Sequence, residues 1–205
     1  MTTRRAFIYL KLCAAILLAG CAGRTVRTSL AKVDFADGIT AQFQKKAFDV
    51  RPSLVQQVVY TKGESSLSFT AMVEVSDDSV VIAGLSPLGK RQFMMTIATH
   101  DVTYTEEPLF ELPFPPVYMA RDFLLVYEDA SLLKSQNREL EVVDAGKWRD
   151  IRLAERLRIQ IEYEHRGFET GKTRLVHLEQ GYSLEIDTVQ VDFPAEVITS
   201  EEEQQ

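Results

Sequence analysis

A two-residue alternation begins near Leu54 and runs through most of the chain beyond it, and it constrains the fold more than any other feature of the sequence. Between Ser66 and Val75, the side chains of Leu67, Phe69, Ala71, Val73 and Val75 fall on one side; Ser66, Ser68, Thr70 and Glu74 fall on the other. Neighbouring side chains of an extended strand point to opposite faces, so this pattern predicts strands with one buried face. After a turn at Asp77-Asp78, Val80, Ile82 and Gly84 continue in a second strand. After Ser86-Pro87-Leu88-Gly89, Phe93, Met95 and Ile97 continue in a third, and Val102 with Tyr104 marks a short fourth. Turn signals so closely spaced predict an antiparallel meander.

The period then changes. Glu111-Leu112-Pro113-Phe114-Pro115-Pro116 lacks the donors for a ladder and reads as an extended loop. Met119, Phe123, Val126, Tyr127 and Ala130 recur at helical steps, and Asp129 is placed to cap a second short turn with Leu132 and Leu133. Strands resume at Leu140 to Val143. Leu157, Ile159, Ile161 and Tyr163 then alternate with Arg156, Arg158, Gln160 and Glu162. A hairpin connection spans His165 to Lys172, and two further strands come after it, Arg174 to Gln180 and Tyr182 to Val191. Between Ile186 and Val189 the apolar set slips by one position, which predicts a bulge. The order strands, helix, strands predicts a mainly β fold with a helical insert: a curved antiparallel sheet, or half-barrel, covered on its concave face by a short helical lid. The candidate ligand-binding residues are Phe69, Val73, Val75, Ile82, Phe93, Met95 and Ile97 from the sheet, with Phe123 and Tyr127 from the helix. A loosely packed lid makes them a cavity wall; a tight one makes them core.

At the start of the chain, Arg4 and Arg5 precede a short apolar stretch, interrupted by Lys11, that ends in Leu18-Ala19-Gly20-Cys21. A spanning helix needs about 20 consecutive apolar residues. This stretch is shorter and ends in small residues, as signal peptides do. The run resembles the lipobox of bacterial lipoproteins. That resemblance implies removal of residues 1–20, lipidation of the Cys21 sulfur and three acyl chains at the new terminus. No Asp follows Cys21, which by the same resemblance implies the periplasmic face of the outer membrane. Residues 21–36 then read as a lipidated tether, 37–193 as the ligand-binding domain and 194–205 as an acidic tail. Cys13 lies in the signal and Cys21 carries lipid, so neither is left for a disulfide, a metal or a nucleophile.

The chain has a formal charge of −7, and beyond residue 20 it carries 20 basic against 30 acidic residues. Such a balance disfavours nucleic acid as a partner. Arg149, Arg152, Arg156 and Arg158 interleave with Asp150 and Glu155 and read as the solvated side of a strand pair. Trp148 reads as core or sheet edge. His100, His165 and His177 fall on different predicted elements without ligand spacing, so no metal or cofactor is expected. No nucleophile elbow, phosphate loop or dinucleotide fingerprint is present, and no catalytic residue is expected. His100 and Asp101 are the only candidates a hydrolase or transferase reading would have.

Gly84-Leu85-Ser86-Pro87-Leu88-Gly89-Lys90, the Phe93 to Thr99 strand, the proline loop and Arg121-Asp122-Phe123-Leu124 together resemble a family of small lipoproteins of unknown function (DUF3261-like). That family is similar to the periplasmic lipoprotein carriers of the LolA and LolB type, and its members are often encoded among aryl polyene biosynthesis genes. The resemblance covers roughly Leu54 to Val191. It implies a LolA/LolB-like half-barrel that binds or hands over an apolar acyl, lipoprotein or aryl polyene-type ligand, with a periplasmic carrier as partner. In the LolB-type receptor an exposed apolar loop residue assists transfer into the membrane; Leu85 and Leu88 are the candidates here. The residues alone read Arg121-Asp122 as a solvated or helix-capping pair. The other reading is a structural or assembly lipoprotein that docks a protein partner at the sheet edge or the Pro113 to Pro116 loop.

Overall fold

The computed structural model describes residues 23–194 except 37, 38, 109 and 138. The expected signal segment, Cys21 and residues 195–205 of the expected acidic tail lie outside the described residues. The strands are β1 (Arg24–Ser29), β2 (Val33–Ala36), β3 (Ile39–Ala41), β4 (Ser53–Lys62), β5 (Ser65–Val75), β6 (Ser79–Leu85), β7 (Arg91–Ala98) and β8 (Asp101–Glu106). Helices α1 (Pro116–Tyr127) and α2 (Ala130–Gln136) come next. The chain then returns to strands in β9 (Leu140–Ala145), β10 (Trp148–Leu153), β11 (Arg156–Tyr163), β12 (Gly171–His177) and β13 (Tyr182–Asp192).

Eleven strands form one antiparallel sheet in the order β1-β8-β7-β6-β5-β4-β13-β12-β11-β10-β9; β2 and β3 pair separately. The large sheet is curved and does not close, so the expected half-barrel is present. Its inner face follows the alternation. Phe69, Ala71, Val73 and Val75 of β5 are buried, as are Val80 and Ile82 of β6 and Phe93, Met95 and Ile97 of β7. Burying each of the larger side chains contributes about 1.5–3 kcal/mol. The slip in the last strand is a bulge: Thr188 pairs with Gln56 and Gln190 with Val55, which leaves Val189 turned outward.

The tether reading of residues 21–36 is corrected. Arg24–Ser29 pairs with β8 over six residues, from Arg24 opposite Glu106 to Ser29 opposite Asp101. These residues have little apolar pattern of their own because β1 is an edge strand, and most of its side chains face water. Beyond it, Leu30, Val33, Phe35, Ala41 and Phe43 are buried against the concave face.

Helix α1 begins with Pro116, whose missing N–H costs nothing at a first helical position. The periodicity predicts one apolar stripe, but Ala120 through Val126 are all buried. The sheet lies on one side of the helix. Residues 39–48 form a strap that continues as irregular backbone after β3, and its Phe48 packs edge-on against Phe123 of the helix (6.5 Å). The strap takes hydrogen bonds in place of a ladder. Gln42 N and Gln44 N donate to Asn137 Oδ1 (2.7 Å) and Gln136 Oε1 (2.9 Å), while Phe43 N donates to Leu30 O (2.8 Å).

The arginine reading is corrected in part. Arg152 and Arg156 are exposed, but Arg149 and Arg158 are buried. The β10–β11 register shifts between Ile151 and Arg152, where Ile151 opposes Ile159 and Arg152 opposes Leu157. The extra residue, Arg158, thereby turns inward and forms an ion pair with Glu179. Trp148 is exposed on β10, one strand in from the edge.

Candidate functional site

Four of the nine predicted ligand-binding residues meet at one place. Phe69, Ile82, Phe123 and Tyr127 wall a small cavity between α1 and the sheet, with Met119 and Leu184 beside them. Its volume is about 50 Å³. Ligand pockets for small molecules span roughly 300–1,000 Å³, so this space admits a few atoms and no hydrocarbon chain. Val73, Val75, Phe93, Met95 and Ile97 are not on its wall and are packed in the core. Phe93 explains part of the Gly84 to Lys90 motif, since its ring lies against Gly84 where a Cβ would otherwise stand.

The polar side of the cavity was not legible as a site. Asp122, expected to be solvated or capping, lines it and is buried with Arg121. Arg121 Nε donates to Asp122 Oδ1 (2.8 Å), Arg121 also donates to the Tyr182 hydroxyl, and that hydroxyl donates to Asp122 Oδ2 (2.5 Å). Burial works against the Arg121 charge, but Asp122 together with Tyr182 and Tyr118 more than offsets this and holds the guanidinium above its ordinary range. Burial likewise raises the Tyr182 phenol well above its usual value, so it stays a donor. Arg121 further donates to Asp34 O (3.0 Å) and packs over the Tyr118 ring (4.6 Å). One side chain thus ties α1 to β2 and to the start of β13.

The far end of α1 is secured from the sheet. Arg149 donates to Leu125 O (2.7 Å) and Glu128 O (2.9 Å), and the Tyr163 hydroxyl donates to Val126 O (3.1 Å). These are helix-terminal carbonyls without intrahelical partners, and a cation is favourable at that end of the dipole. Asp144 accepts both Arg149 Nε (2.8 Å) and a second guanidinium nitrogen (3.1 Å). Asp129 caps α2 as expected, accepting Ser131 N (2.7 Å).

Two buried groups set a pH dependence. His177 is fully buried, its Nδ1 accepts Gln180 N (3.1 Å), and burial with Arg121 nearby pushes its pKa down to about 3. Burial pushes the Glu128 carboxyl up to about 7 against the pull of Lys46 and Lys45. A lowered histidine withdraws stability as pH falls from its unfolded value of about 6.5, whereas a raised carboxyl withdraws it as pH rises from about 4.5. Glu128→Gln is therefore expected to raise the thermal midpoint at pH 8 and leave it unchanged at pH 4.5. His177→Gln is expected to cost less at pH 4.5 than at pH 7.5. Thermal unfolding at fixed ionic strength checks both; equal effects at both pH values would show that neither group is held in this environment.

His100 is exposed, and Asp101 forms an ion pair with Arg27 (2.6 Å). His165 faces Glu169 at 4.0 Å. Among the described residues no group of three metal-binding side chains comes together. Leu88 is 95% exposed at the tip of the β6–β7 turn, while Leu85 is half-buried.

The class that this architecture defines is an open antiparallel half-barrel whose hollow is filled by one helix and a strap. Residues 53–190 match the family described as "Protein of unknown function (DUF3261)", and the chain belongs to that family. No curated protein matches the chain. Among solved structures it is similar to a domain from Vibrio parahaemolyticus described as an outer membrane lipoprotein-sorting protein. Identity there is 6% over 74% of this chain and 88% of that one, with a TM-score of 0.43. It is also similar to a DUF1329 family protein from Desulfovibrio piger, at 8% identity over 72% of this chain and 87% of that one, with a TM-score of 0.45. Neither likeness is close enough to carry a function.

Proposed function

We propose that this chain is a non-catalytic envelope lipoprotein, anchored through Cys21 to the periplasmic face of the outer membrane. It shelters an apolar acyl or polyene-type molecule between α1 and the concave face and passes it to or from the bilayer. The observation that carries this reading is the apolar cavity under α1 in a sheet left open along both edges. At about 50 Å³ it is too small for a hydrocarbon chain, which enters only when the cover shifts. Each methylene buried would contribute about 0.8 kcal/mol, enough to offset local opening.

The anchor and the exposed Leu88 favour the same end of the molecule. Arg24 is three residues beyond Cys21, a reach of about 10 Å. Arg24 opposes Glu106, and Arg91 at the start of β7 pairs with Glu107 at 2.8 Å. The β6–β7 turn with Leu88 therefore projects from the end of the sheet where the lipid would lie. A mature chain made soluble by Cys21→Ser is expected to take up cis-parinaric acid and release it into phospholipid vesicles. Leu88→Glu is expected to slow release about tenfold, the loss of one apolar membrane contact, without changing uptake. Absence of any long-chain uptake, by fluorescence and by native mass spectrometry, would overturn carriage.

That outcome would favour the second reading, a structural lipoprotein that docks a protein partner. The full packing of Val73, Val75, Phe93, Met95 and Ile97 is the observation on its side.

A further inference from the structure

The small cavity has a large neighbour. A groove of about 640 Å³ lies where the end of α1 and the start of α2 face residues 46–49 and the β9–β10 hairpin, and it shares Tyr127 with the cavity as a common wall. Four rings cluster around that wall. Phe48 is edge-on to Phe123 (6.5 Å) and to Phe168 (5.2 Å), and Tyr127 is tilted against Phe123 (4.7 Å) and stacked on Phe168 (4.8 Å). Phe123 and Tyr127 are fixed on α1, whereas Phe48 and Phe168 sit on irregular backbone, the strap and the β11–β12 connection. Rings on such segments can swing without breaking a ladder.

The groove has a polar lining with one donor to spare. Of its acids, Asp144 is engaged by Arg149 and by Arg166 (2.9 Å), Asp129 by Ser131 N, and Asp49 is exposed to water. Burial brings Glu128 to about 7, which leaves it partly neutral at neutral pH. Arg149 is committed to the carbonyls of α1. Arg166 lies over Tyr163 (4.9 Å) and donates through one terminal nitrogen to Trp148 O, and its Nε is buried with no hydrogen-bond partner among the described residues. An orphaned guanidinium donor costs free energy until an acceptor meets it, and an anionic oxygen is the acceptor that suits it best. Lys46 adds a third cation on the groove wall, beside Arg149 and Arg166.

We propose that this groove is the entrance to the cavity, that Phe48 and Phe168 are its gate, and that it admits an amphiphile whose anionic head rests at Arg166 while its chain passes between the rings to lie beneath α1. The proposal rests on the carriage reading above. The head is a carboxylate or a phosphate, which share the anionic oxygen that Arg166 recognises.

The test measures stopped-flow uptake of cis-parinaric acid and of its methyl ester by the mature Cys21→Ser chain, with lysophosphatidic acid as competitor. Opening the gate with Phe48→Ala/Phe168→Ala is expected to speed uptake of acid and ester alike by about fivefold, since removing a conformational step raises the association rate. Arg166→Gln is expected to weaken binding of the acid about tenfold, the value of one charge-assisted hydrogen bond. The ester should be unaffected and Arg166→Lys should restore most of the loss. Stronger competition by lysophosphatidic acid than by palmitic acid assigns the head to phosphate, and the reverse to carboxylate. The gate is overturned if the unaltered chain binds but neither the alanine pair nor the milder Phe48→Leu/Phe168→Leu pair changes the rate. The head site is overturned if Arg166→Gln weakens acid and ester equally. Uptake by none of these proteins removes the carriage reading itself, a different result from binding that ignores the gate.

Discussion

Arg121→Ala is expected to cost about 3–5 kcal/mol of folding free energy, the usual penalty for breaking a buried ion pair from one side. Whole domains are stable by only about 5–15 kcal/mol, so the variant would lie close to unfolding at 37 °C. The size reflects the groups left behind. Asp122 would remain buried with a single hydroxyl donor from Tyr182, and the Asp34 carbonyl would lose its partner. The double variant Arg121→Met/Asp122→Leu is expected to recover most of the loss, because apolar side chains of similar volume need no charge partner. Urea unfolding of the two variants and the parent measures both costs. If Arg121→Ala cost less than about 1 kcal/mol, the typical value of an exposed pair, the pair would be in water and the clasp between α1, β2 and β13 would not exist.

Gly84→Ala has the second-largest expected effect, about 1–3 kcal/mol for an added methyl in a packed core. A Cβ there would stand 2.6 Å from Phe93 Cδ1 and closer still to Cε1 and Cζ. Phe93 cannot retreat easily, because it is fully buried against Phe69 (5.3 Å) and Phe110 (5.8 Å). Gly84→Ala combined with Phe93→Leu is expected to be less destabilised than the sum of the two single changes, the sign of a shared contact. Additive losses would mean that the ring does not lie over Gly84. Gly89 in the same motif has a different reason to be glycine, with φ +74° at the turn and open space where a Cβ would stand.

The candidate site was partly legible. Phe69, Ile82, Phe123 and Tyr127 carry a clear signal because each lies on a strongly periodic element that points inward. Arg121 and Asp122 carried none. A charged pair on a helix is solvated by default, and burial becomes known only when β2 and Tyr182 are seen to enclose it. Strand β1 was invisible for a related reason. Its backbone pairs with β8 while its side chains face water, and apolar periodicity reports only side-chain burial. The β10–β11 turn also lacked a cue. Ala154 and Glu155 adopt φ of 51° and 62°, a conformation usually signalled by Gly, Asn or Asp. Phe48 and Phe168 have no periodic setting, so nothing local linked them to the helix they touch.

What the sequence determined by itself is the open, one-sided sheet and the helix inserted between its two runs of strands. The reason is that strand and helix periods are local properties of the chain, and a sheet with one apolar face must fold over something. What only the tertiary structure decided is how the hollow is filled. The cavity size, the enclosed Arg121–Asp122–Tyr182 clasp and the ring cluster beside the groove depend on side chains far apart in sequence. Their packing is a property of the assembled volume, and no segment of the chain carries it alone.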